Sequence, residues 1–147
     1  MYKKSLVFFG LTFLFISACS DGDTDKDDSS NNTDETAIVY TGTQNLILSA
    51  EGESQTTEIQ ATIRVNVEQI TIEPLSASGS IAEGNFVAIS NRQSSHDGLT
   101  CQFLLTYRGT VNDSSVSGSI TGSAVCDGDD EGVTQEVIGT VTASRSN

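Results

Sequence analysis

Residues 99–126 read LTCQFLLTYRGTVNDSSVSGSITGSAVC, two alternating apolar and polar runs on either side of the turn sequence Asn112-Asp113-Ser114-Ser115. Strict alternation is the period of a β-strand with one face buried, so the stretch predicts a β-hairpin. Placing Val111 opposite Val116 sets the register. Tyr107 then meets Ile120, Leu105 meets Gly122, Phe103 meets Ala124, and Cys101 meets Cys126. The opposite face carries Gln102, Thr106, Arg108 and Thr110 against Ser117, Ser119, Thr121 and Val125. A slip of one residue would turn every apolar side chain outward, so this register is strongly specified. The connection is either a two-residue turn at Asp113-Ser114 or a four-residue loop.

The same pattern recurs along residues 37–147. Ile59, Ala61, Ile63 and Val65 alternate, and Ile70 and Ile72 answer them across a turn at Val67-Glu68 before Pro74 ends the run. Tyr40, Leu46 and Leu48 line one face of a first strand that turns at the AEGES of residues 50–54. Phe86 and Ala88 follow the AEGN of residues 82–85, and Val137, Gly139, Val141 and Ala143 mark the last strand. No helical periodicity is present. The composition, rich in Val, Ile and Thr, is all-β. About eight short strands joined by tight turns predict an antiparallel up-and-down meander, closed or nearly closed as a barrel, with a β-sandwich as the alternative. Glycines at inward positions 109, 118, 122 and 139 suit strands that bend sharply to close.

Residues 107–122, YRGTVNDSSVSGSITG, and 138–145, IGTVTASR, resemble the closing strands of small calycin-type barrels, the lipocalin-like superfamily. The resemblance covers about a third of the chain and implies architecture alone. The lipocalin tryptophan motif is missing, since the chain has no Trp, and an avidin-type biotin pocket is disfavoured on the same ground. Four inward aromatics, Tyr40, Phe86, Phe103 and Tyr107, are the candidates for lining a small apolar ligand pocket at the barrel mouth. The alternative is that they are the core, because barrels of this strand number have interiors that side chains can just fill.

At the other end of the chain, Lys3 and Lys4 precede an apolar run from Leu6 to Ile16, and the small pair Ser17-Ala18 follows. This is the layout of a secretory signal, and the run is too short for a permanent bilayer span of ~20 residues. The stretch Ile16-Ser17-Ala18-Cys19 resembles the lipobox of bacterial lipoproteins. That resemblance implies diacylglyceryl transfer to Cys19, cleavage between Ala18 and Cys19, and acylation of the new amino terminus. With Ser20 rather than Asp after the cysteine, it also implies sorting to the outer membrane, facing the periplasm or the cell surface. Several acyl chains hold stably, at ~0.8 kcal/mol for each buried CH₂, where one chain is marginal. Export also places the other two cysteines in an oxidising compartment, so the register above predicts a Cys101–Cys126 disulfide.

Loss of Lys3 and Lys4 with residues 1–18 takes the formal charge from −13 to −15. Nucleic acid and anionic lipid headgroups are poor partners for such a surface, so no nucleic-acid partner is expected and membrane attachment falls to the acyl chains. Residues 19–36 comprise Cys19 and SDGDTDKDDSSNNTDET, which has no side chain for a core and reads as a solvated acidic tether. Asp21, Asp23 and Asp25 have the alternate spacing of a calcium loop, but Lys26 and Asn32 stand where the EF-hand pattern requires Gly and Glu.

Reactive side chains are few. His96, the one histidine, lies in NRQSSHDG, read as a loop, beside Ser94, Ser95 and Asp97. Local adjacency of these types carries no catalytic weight, because a triad is assembled from distant segments. No catalytic residue is expected. Asp127, Asp129, Asp130 and Glu131 in CDGDDEG could take Ca²⁺, the sole candidate cofactor, although Asp and Gly also favour turns for backbone reasons. The expected function is that of a lipid-anchored, non-enzymatic β-barrel acting as a binding or envelope-interaction module. A calycin-like carrier of a small hydrophobic ligand comes second and a hydrolase third.

Overall fold

The computed structural model describes residues 37–96, 99–127 and 133–147, apart from the side chains at 94, 96, 99 and 133. The leader, the tether, Cys19, Asp97, Asp129, Asp130 and Glu131 lie outside the described residues. Eight strands follow one another: β1 Ile38–Ala50, β2 Glu53–Asn66, β3 Gln69–Glu73, β4 Ala77–Ala82, β5 Asn85–His96, β6 Leu99–Val111, β7 Ser115–Asp127 and β8 Val133–Arg145. Each pairs antiparallel with the next, and β8 returns to β1, so the sheet closes as a barrel and the sandwich alternative falls.

The cysteine hairpin forms in the expected register: Val111 faces Val116, Tyr107 faces Ile120, Phe103 faces Ala124, and Cys101 faces Cys126. The two sulfurs are bonded. The turn is the two-residue form, with Asn112 N donating to Ser115 O at 3.0 Å. Asn112 Oδ1 accepts from the backbone amides of both Ser114 and Ser115 at 2.9 Å, the Asx arrangement that makes Asn a turn residue. Because the side chain serves those amides, the Asn112 carbonyl is left to accept from the Tyr40 hydroxyl at 2.8 Å.

The two AEG sequences act alike. Glu51 and Gly52 (φ 51° and 85°) and Glu83 and Gly84 (φ 52° and 76°) are both left-handed pairs, the primed geometry whose twist matches the flanking strands. At the β6–β7 contact, Gly109 lies opposite Gly118. A Cβ on Gly118 would stand 3.1 Å from Phe86 Cζ, so the missing side chain there is the space the Phe86 ring uses.

Two expectations need correction. Six of the strands are long, at 12 to 14 residues, and not short. Residues 91–96 of NRQSSHDG are strand and not loop: β5 continues to His96, paired with β6 as far as Leu99. Polar side chains on both faces hid this continuation, because Arg92 points inward on the same parity as Phe86, Ala88 and Ser90.

The wall is uneven. The β3–β4 hairpin has strands of 5 and 6 residues between neighbours of 14 and 12. β2 pairs with β3 only over Thr62–Asn66, and β5 pairs with β4 only over Asn85–Ile89. The remaining lengths of β2 and β5 flank a notch at the end of the barrel where β1 turns into β2. Residue 37 enters at the opposite end, since successive antiparallel strands alternate direction.

Candidate functional site

The candidate site is the interior together with this notched end. Tyr40, Phe86, Phe103 and Tyr107 all project inward, none more than 7 % exposed. They pack with Ile63, Ile72, Leu105, Ile120 and Val141 in one continuous core. The sequence placed these four side chains on the correct face, and the structure puts them in the core.

A polar line crosses that core. Tyr107 Oη donates to Gln44 Oε1 at 2.8 Å, and Gln44 Nε2 donates to the Glu73 carbonyl at 3.3 Å. Gln44 and Ser90 are the fully buried polar residues among those described. Burial disfavours the phenolate and pushes the Tyr107 hydroxyl above its ordinary range, so it stays a donor. Among the described residues, no buried side-chain nitrogen or oxygen lacks a partner.

The same line fixes the tip of the β3–β4 hairpin. The Glu73-Pro74 peptide is cis and Leu75 is buried. Ser90 Oγ donates to the Leu75 carbonyl and Arg92 Nη1 to the Pro74 carbonyl. The tip therefore leans inward onto β5 and β1 and closes the core from beneath the notch. Gln44, Ser90 and Arg92 were not singled out in the sequence. Their signal was parity alone: each is even-numbered on a strand whose even positions face inward.

The other candidate residues lie at one end of the barrel, on β5 and β7 with β6 between them. Asp127 ends β7 and is exposed, without its three proposed companions among the described residues. His96 ends β5, and Ser95 Oγ lies 2.9 Å from Thr100 Oγ1 across the β5–β6 pair. Among the described residues, no three His, Cys, Asp or Glu side chains are grouped as a metal would require. Among them, too, no helix is long and apolar enough to cross a membrane, which says nothing of strands.

No protein-family model matches the chain, and no curated protein matches it. Among solved structures the chain is similar to the ywiB protein from Bacillus subtilis, with a TM-score of 0.40 and 11 % identity over 76 % of this chain and 94 % of that one.

Proposed function

We propose that the chain is an exported lipoprotein, anchored in the outer membrane through acylated Cys19, whose barrel serves as a non-enzymatic binding or envelope-interaction module. The observation that carries the reading is the succession Lys3-Lys4, the apolar run Leu6–Ile16, and Ile16-Ser17-Ala18-Cys19, followed by an acidic segment and then a self-contained barrel.

The burial of Tyr40, Phe86, Phe103 and Tyr107 supports a surface-acting module over a calycin-like carrier, because the rings that would line a ligand are packed against one another and their neighbours. Metabolic labelling with a palmitate analogue tests the anchor. The wild type is expected to take up label and Cys19→Ala to lose it; an unlabelled wild type would refute the anchored reading.

A further inference from the structure

The notch leaves strand edges open in a fold whose closure otherwise removes edges. Among the described residues, nothing pairs with the side of β2 that faces away from β1 over Glu53–Ala61, nor with the matching side of β5 beyond Ile89. Which backbone groups lie there follows from the turns. A two-residue turn makes its flanking residues a hydrogen-bonded pair, and bonded pairs then alternate along the ladder. The Glu51-Gly52 turn directs the odd-numbered residues of β2 toward β1. The Val67-Glu68 turn, in agreement, directs Asn66, Arg64 and Thr62 toward β3. The N–H and C=O groups of Ser54, Thr56, Glu58 and Gln60 therefore point into the notch. By the same rule from the Glu83-Gly84 turn, those of Asn91, Gln93 and Ser95 point into it from β5.

At the notched end, β2 and β5 are separated by the positions that two further strands would fill, about 14 Å at ordinary strand spacing. The inward side chains of β2 report the missing neighbour as well. Ala61 and Ile63 are buried, but Ile59, Thr57 and Gln55, on the same face, are only partly covered. An edge of this length, unpaired among the described residues, is a template for strand addition, and natural barrels blunt or cover such edges.

We propose that the β2 lip of the notch is a docking site for an extended basic peptide segment, which adds to β2 as an antiparallel or parallel strand. Charge selects this occupant. Glu51, Glu53, Glu58 and Glu73 surround the lip, and residues 53–61 contain no Lys or Arg. A second copy of the chain adding through the same lip would bring a second set of these carboxylates beside the first with no Lys or Arg of residues 53–61 to offset them, and like charges on paired strands are destabilising. A strand with outward lysines or arginines would instead place opposite charge beside Glu58, while its inward side chains covered Ile59. This deepens the reading of the barrel as an interaction module and does not depend on the lipid anchor.

The test is residue-resolved amide exchange on the full chain in detergent, with a short capped peptide of alternating lysine and valine as the probe. In the free protein, the amides of Ser54, Thr56, Glu58 and Gln60 are expected to exchange fast, and those of Gln55, Thr57 and Ile59 slowly. The peptide should slow the first four. The same peptide N-methylated at every amide, equal in charge but with both edges blocked against ladder formation, should not. Glu58→Lys, an exposed substitution, should weaken the probe about two- to fivefold, the size of one surface ion pair. The proposal is overturned if the four amides are already protected in the free chain, if neither peptide slows them, or if both slow them alike. A palmitate-labelled chain with a silent notch would sink this proposal and leave the anchor standing; an unlabelled chain that binds the probe would do the reverse.

Discussion

Removing the Tyr107 hydroxyl should reveal how the polar line across the core is held. In Tyr107→Phe, Gln44 Oε1 keeps its buried position but loses the donor now at 2.8 Å. With Gln44 at 0 % exposure no water replaces it, so the cost is the desolvation of an unpaired amide oxygen, about 1 to 3 kcal/mol. Gln44→Leu strands the Tyr107 hydroxyl in the same way; the Glu73 carbonyl also loses its partner, but Glu73 is only half-buried and solvent can serve it. The double variant leaves no buried polar group unpaired there. It should be less destabilised than the two single losses added together, by about 1 to 2 kcal/mol. Chemical denaturation followed at constant slope measures each value, and thermal unfolding should show a fall on the order of 4 to 12 °C for Tyr107→Phe. Single variants within about 0.5 kcal/mol of wild type, or strictly additive losses, would refute the assignment of this pair as a buried, coupled hydrogen bond.

Three further outcomes follow from the packing and the turns. Gly118→Val should cost about 1 to 3 kcal/mol by driving a side chain into Phe86 Cζ and the Arg108 backbone, and an unchanged denaturation midpoint would disprove the contact. Reducing Cys101–Cys126, which are 25 residues apart, should lower stability by about 3 kcal/mol through the freed denatured chain; the check is the midpoint with and without reductant. Asn112→Ala should cost on the order of 1 kcal/mol, by analogy with losing a helix cap, because the Ser114 and Ser115 amides lose their acceptor. Asn112→Asp, which keeps that acceptor, should retain most of the stability.

The β6–β7 hairpin was legible because three signals agreed there: alternation, a turn sequence, and two cysteines that one register brings opposite each other. The β2–β3 pairing was legible for a similar reason, with Ile63 opposite Ile72 and Val65 opposite Ile70. β4 was not, since ASGSIA places Ala77, Gly79 and Ile81 inward and only one of these is a large apolar side chain. The far half of β5 was obscured by chemistry of the opposite kind. Ser90 and Arg92 face the interior because the hairpin tip supplies carbonyls there, a long-range contact that no local pattern contains. The notch shares this origin: β3 stops at Glu73 and β4 starts at Ala77, with Pro74, which has no N–H for a ladder, and the buried Leu75 between them.

The proposed anchor is tested most directly at the amino terminus of the protein as it occurs in the membrane fraction. Intact-mass and fragment spectrometry of the chain extracted from membranes should find Cys19 as the first residue, carrying acyl chains, with the acidic segment and the barrel following it. A water-extractable chain with an unmodified amino terminus, or one that still retains residues 1–18, would contradict it.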